Sequence, residues 1–311
     1  MTPRRRALRL LLPFLTALLA LTPHPSAADE RHDLLSAYSR LQERLDRNAF
    51  GIPLHVESTE NGRSVSADAY GVFDHPFESV LESLAEPSNW PDIATLHPNV
   101  KASTYARGSG DCLLTFYCGR KFYQSPETAH RLTFRYQTAE RRRDYVKILL
   151  DAETGPYGTK EHRMKFEAAP LDAHRTLVHV SYGYGYGASL RLAEKVYFAT
   201  LGRDKIGFTV TGTDPQGNPV YIGGSRGAIE RNAVRYYFAI QSFLNTLRYP
   251  EEKRFALRVG EWYDLTQKFK KQLYEVERDE YLKQKAKERR HQEALQGQVS
   301  TLTRAAGGAG G

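Results

Sequence analysis

The chain has 311 residues, with 44 Lys and Arg against 36 Asp and Glu, a formal charge of +8. Arg4, Arg5, Arg6 and Arg9 precede an apolar run over 10–21 and a small-residue stretch ending at Ala28; without this acid-free segment the rest of the chain is only +4. That mild excess, with no reading helix and no basic stripe carrying aromatics, excludes nucleic acid as the expected partner. No His-x-x-x-His, Cys/His cluster or Gly-x-x-x-x-Gly-Lys-Ser/Thr occurs, so no metal or nucleotide cofactor is expected.

The order basic, apolar, small over 1–28 is that of a secretory signal. Its apolar run is twelve residues and contains Pro13, whereas a spanning helix needs about 20. Cleavage after Ala28 and export to the periplasm are therefore expected. An uncleaved anchor is the alternative, because the arginines suit that too.

Residues 29–50 form an N-terminal helical segment, with Leu34, Leu35, Tyr38, Leu41 and Leu45 at helical spacing. From Leu54 the period changes to two, through Val56, then Val65, Ala67 and Ala69, around a turn at Asn61-Gly62. Asp74 stands in capping position before Pro76, and Phe77, Val80, Leu81 and Leu84 make a helical stripe. Pro87 and Pro91 then divide the text into two short helices around Trp90. Residues 101–187 read as consecutive strands with short connections, an antiparallel meander.

Cys112 and Cys118 are the only cysteines, and an even count in an exported chain suggests a pair. On one continuous strand they would lie about 20 Å apart, beyond a disulfide's reach. Both states stay open.

A helix over 190–201 and a hairpin around Asp214-Pro215-Gln216-Gly217-Asn218 come next. A long helix over 228–248 follows, with Ala233, Tyr237, Ile240, Leu244 and Leu247 on one face, and Pro250 ends it. A second, amphipathic and charged helix spans 250–296. Its Phe255, Val259, Trp262, Phe269, Leu273 and Val276 form a narrow stripe that gives way to charge after Tyr281. A Gly/Ala tail over 297–311 is expected to be disordered.

The stretch 67–101 (ADAYGVFDHPFESVLESLAEPSNWPDIATLHPNVK) resembles the passage from first strand to second strand in the START-like, or SRPBCC, superfamily. The element order over 54–248 resembles that family too. The resemblance implies an α+β helix-grip fold over 51–249: a curved antiparallel sheet around a long C-terminal helix, here with an extra charged helix after it. It further implies a cavity for a lipid or other bulky hydrophobic ligand, since members carry such molecules and some are cyclases or hydrolases. Periplasmic binding or transport is the leading expectation, with a cyclase or hydrolase acting in the same cavity as the alternative. The matching residues are packing residues, so no catalytic residue carries over. The C-terminal helix offers a possible contact for a membrane surface or a protein partner.

By the same resemblance Trp90, His97 and Lys101 would sit at the cavity mouth, faced by Arg120 and Tyr123. The bland reading makes Trp90 core, His97 a cap and Lys101 solvated. In 181–187 (SYGYGYG), Tyr182, Tyr184 and Tyr186 share one strand face and would reach the ligand, while three glycines share the other. Glycines there imply a close approach, by a ligand or, in the preferred reading, by the long helix. Gly223-Gly224-Ser225-Arg226-Gly227 matches a nucleophile elbow, yet the antiparallel text upstream and a lone later histidine, His291, oppose that reading.

Overall fold

The structure, a computed structural model, describes residues 27–48, 50–108, 111–200 and 202–308. All but the last two residues of the expected signal lie outside them, and no described helix is long and apolar enough to cross a membrane.

Alternating burial builds the first hairpin from β1 (Leu54–Glu60) and β2 (Ser64–Phe73). Asn61 closes it, its Oδ1 accepting from the Arg63 and Ser64 amides at 3.1 and 3.0 Å. The chain leaves the sheet through α2 (Phe77–Leu84), which buries Phe77, Val80, Leu81 and Leu84, and α3 (Trp90–Ala94). It then runs a meander of β3 (Val100–Arg107), β4 (Cys112–Cys118), β5 (His130–Arg141), β6 (Val146–Thr154), β7 (Thr159–Pro170) and β8 (Thr176–Tyr186). The sheet order is β1-β2-β8-β7-β6-β5-β4-β3, all antiparallel, because β8 returns to pair with β2, Tyr182 opposite Ala67.

After α4 (Ala188–Ala199) and a separate hairpin, β9 (Val210–Thr213) with β10 (Pro219–Tyr221), comes α5 (Gly224–Thr246). It lies across the inner face of the sheet, with Tyr237, Phe238, Ile240 and Phe243 buried. Each such side chain contributes about 1.5–3 kcal/mol. Gly71 of β2 makes room for the helix, since an added Cβ would stand 2.3 Å from the Tyr237 hydroxyl. On the opposite face α1 (Ala27–Asp46) sets Leu34 against Tyr145, Ala169 and Leu177. One face holding a long helix and one chain-order crossover between β2 and β8 make this the α+β helix-grip fold.

The single helix expected over 250–296 is three: α6 (Glu251–Gln267), α7 (Lys270–Leu273) and α8 (Arg278–Gly308). The first break follows from Phe269, which leaves helical geometry to place its ring 5.1 Å from Phe50 and 5.6 Å from Phe238. Helix α8 continues to Gly308, where a disordered tail is expected from the sequence. After Tyr281 the apolar stripe gives way to charged and amide residues, as expected, but the buried face does not end there. It continues at steps of three and four as Lys285, Glu288, Gln292 and, partly buried, Gln296, turned onto the edge strand β3.

Both cysteines are free and sit at the two ends of β4. A strand of that length holds them apart.

Candidate functional site

Between α5 and the strands β4, β5, β7 and β8 lies a cavity of about 210 Å³, lined by Leu132, Phe134, Val100 and Tyr236 together with His97, His162, Tyr182 and Asn232. It is small because aromatic rings fill the grip: Tyr182 meets Tyr236 edge-on at 6.0 Å, and Phe116 meets Phe134 at 5.0 Å. Tyr157 stands at the mouth, 72 % exposed, in a left-handed turn with φ 59°.

The polar groups of the cavity are held by one another. Thr159 donates its hydroxyl to the Pro156 carbonyl at 2.6 Å, so its oxygen accepts from His162 Nε2 at 2.8 Å. His162 Nδ1 is then the acceptor for the Tyr182 hydroxyl at 3.2 Å. This order defines a neutral imidazole, and burial lowers its pKa to about 4. Gly155 makes room for the ring, since an added Cβ would lie 2.1 Å from Nε2.

His97 has a matching arrangement. Its Nδ1 accepts from the Asn99 amide and its Nε2 reaches the Asn232 side-chain oxygen, each at 3.2 Å. Burial, then the charge of Arg235, keep it well below its ordinary pKa. Tyr182 is pushed up by burial, and the Cys118 thiol to about 12 by the same cause.

Of the residues expected at the site, His97 and Tyr182 line the cavity. Tyr184 stacks on His162 at 5.3 Å, one layer behind, and the Tyr186 hydroxyl donates to Glu60 at 2.8 Å. The others lie elsewhere. Trp90 is core, its indole N–H donating to the Leu84 carbonyl at 2.8 Å. Lys101 is fully buried but turned to α8, where it donates to Glu288 at 2.9 Å and to the Pro98 carbonyl at 2.7 Å. Tyr123 also meets α8, bonding His291 Nε2 at 3.0 Å. Arg120 sits over the exposed ring of Phe122. For Lys101 and Tyr123 the reason is α8, which lies against β3 and the turn after β4, where the resemblance alone would leave space.

His162, Asn232 and Tyr236 were not anticipated. Their signal is present: His162, Met164 and Phe166 alternate on one strand face, and Asn232 and Tyr236 are one helical turn apart. The glycine reading also changes. Tyr182 faces α5, so Gly183 and Gly185 face away from it. Gly183 lies close against β2, an added Cβ standing 3.0 Å from Ser66 Cβ. These glycines help leave an open groove of about 920 Å³ on the outer face, but Arg131, Arg135, Arg163, Asp151 and Glu161 line it with both charges, which suits water rather than an apolar molecule. Ser225 lies in the first turn of α5 after an antiparallel hairpin, and His291 is engaged with Tyr123; the nucleophile elbow lacks its parallel sheet.

The strand order and the placement of α5 define a START-like, helix-grip fold. No protein-family profile and no curated protein matches the sequence. Among solved structures, an aromatase/cyclase from Streptomyces is similar at 16% identity, over 61% of this chain and 92% of its own, with a TM-score of 0.34. Human StAR-related lipid transfer protein 5 is similar at 11% identity, over 71% and 98%, with a TM-score of 0.36. A START superfamily protein from Mycobacterium smegmatis is similar at 13%, over 45% and 90%, at 0.32. At such scores the likenesses indicate neither ligand nor reaction, and the fold class stands on strand order and the placement of α5.

Proposed function

We propose that the chain binds a compact, mainly apolar ligand of one or two rings inside the grip, and that it does so after export to the periplasm. The aromatic-lined cavity between α5 and the sheet, with its neutral polar groups, carries this reading. A cavity of about 150 Å³ accepts benzene, so about 210 Å³ suits a small ring system. The bulky lipid expected from the resemblance is larger than this space, because drug-sized sites run from about 300 Å³ upward. Burying about 200 Å² of apolar ligand surface gives about 5 kcal/mol. His97, His162, Tyr182 and Asn232 would orient a hydroxyl, carbonyl or ring nitrogen. Export is supported by the basic, apolar, small-residue order of 1–28.

Binding is favoured over turnover by the protonation states. A general acid or base works best near ambient pH, whereas His162 is displaced to about 4 and Tyr182 upward. The test is native mass spectrometry, with organic extraction, on mature protein purified from its own host. A stoichiometric compact aromatic species is expected. Protein that is empty, and takes up none of a panel of one- and two-ring compounds, would overturn the reading. Leu132→Trp, which fills the cavity, is expected to abolish uptake while the fold persists.

A further inference from the structure

Beside the cavity, three cations converge on one carboxylate, and a fourth is buried next to them. Glu275 accepts from Arg235 and Lys121 at 2.5 Å each, and Lys205 stands 3.5 Å from its other oxygen. Arg231, one helical turn before Arg235 on α5, is also buried and donates to the Ile206 carbonyl at 2.9 Å, an acceptor without full charge. The Arg235 side chain is 2 % exposed, and its Nε has no hydrogen-bond partner. Burying unneutralised charge is costly, and like charges one turn apart on a helix repel. Burial, ahead of the neighbouring Arg235, accordingly lowers Lys121 to about 7 and Arg231 to about 10.

The cluster adjoins the cavity through the chain itself. Asn232 and Tyr236, which line the cavity, are the neighbours of Arg231 and Arg235 on α5; Gly119, also on the lining, precedes Lys121 by two residues. Lys121 and Lys205 keep about a third of their side-chain surface exposed, 31% and 36%, so an anion can enter from solvent. Among the described residues lining the cavity there is no carboxylate.

We propose that Lys121, Lys205, Arg231 and Arg235 form a receptor for an oxyanion, a carboxylate or a phosphate, at the rim of the cavity, and that the cavity ligand is an acid carrying that group. The second half of this proposal rests on the binding function put forward above; the receptor does not. Arg231 and Arg235 supply planar donor forks and the two lysines supply mobile ammonium groups, a combination suited to oxygen anions. Glu275 holds the cations in place, buried Glu230 adds a second carboxylate beside Arg231, and the arriving anion neutralises the excess that remains.

The experiment is isothermal titration at constant ionic strength with three probes: inorganic phosphate, 2-naphthoate and methyl 2-naphthoate. Wild type is compared with Lys121→Gln/Lys205→Gln, whose changes are partly exposed and spare the core, and with Leu132→Trp. The receptor predicts phosphate binding to wild type, weakened about tenfold or more in the lysine double variant and unchanged in Leu132→Trp. Phosphate that does not bind, or binds the double variant equally, overturns the receptor whatever the arenes do. The acid ligand predicts naphthoate about tenfold tighter than its ester, with that preference lost in the double variant. Equal affinity for acid and ester overturns this half and leaves the cavity reading standing. Phosphate binding with no uptake of either arene supports the receptor and sinks the cavity reading alone.

Discussion

Gln296 of α8 pairs with both main-chain groups of Tyr105: its Oε1 accepts from the amide and its Nε2 donates to the carbonyl, each at 2.9 Å. One turn earlier, Gln292 accepts from the Ser103 amide at 3.1 Å. A neighbouring strand would make the same bonds. β3 is the last strand of the sheet, and an open edge invites pairing with another chain. The C-terminal helix therefore closes the sheet through side-chain amides, and this face of α8 is occupied rather than free for a membrane or a partner.

Replacing both glutamines by alanine should destabilise the protein by about 1–3 kcal/mol, since each lost bond is worth about 1 kcal/mol. It should also promote self-association through β3. Urea unfolding checks the first effect, and light scattering over a concentration series checks the second. A double variant as stable as wild type and no more associated would mean that α8 covers β3 without capping it.

Glu288 lies between two buried ammonium groups, Lys101 at 2.9 Å and Lys285 at 2.7 Å. Glu288→Ala leaves both without a counter-charge and is expected to cost about 3–5 kcal/mol. Replacing all three residues by apolar ones of similar size should recover most of that loss. A triple variant no better than Glu288→Ala would show that the cluster stabilises by more than mutual compensation.

Gly71→Ala should be among the most damaging conservative changes in the sheet. The new methyl would overlap the Tyr237 ring and hydroxyl, at 2.3–2.7 Å, and overpacking costs about 1–3 kcal/mol or more. Thermal melts should show partial rescue by Tyr237→Leu in the same chain. Equal melting of Gly71→Ala and wild type would place α5 farther from β2 than described.

Histidines should give stability a maximum near their ordinary pKa of 6.5. Burial depresses His162 to about 4 and His97 lower than usual. The unfolded chain therefore takes up protons first, and stability falls as pH drops from 6.5 toward 4. His179 is raised: burial opposes its charge, but Asp68 and Glu167, at 2.8 and 2.7 Å, outweigh that. Its contribution is complete below 6.5 and is lost as pH rises through the folded value. Urea midpoints from pH 5 to 8 should show His162→Gln flattening the acid side and His179→Gln the alkaline side. The reverse assignment would contradict both protonation states.

Much of the fold is legible in single-residue patterns. Val65, Ala67 and Ala69 alternate, Phe77, Val80, Leu81 and Leu84 recur at helical steps, and each set is buried as its period implies. Tyr182 is placed on the inner face by the same rule. The cavity is less legible, because His97 lies beside Asn232, 135 residues away, and His162 beside Tyr182 only through the register of β7 with β8.

The sequence by itself determined the element order as far as α5 and the inward set of apolar side chains there, since period alone decides which residues share a face. Tertiary structure alone decided the fate of the polar ones. Lys101, Lys285, Glu288, Gln292 and Gln296 have the composition of a solvated surface, and a charged or amide side chain belongs in water unless it is offered a partner. The partners are the open edge of β3, the carbonyls of Pro98 and Val100, and one another. They come within reach only when a helix 185 to 191 residues downstream lies against that edge, so the physical reason is proximity that no local pattern encodes.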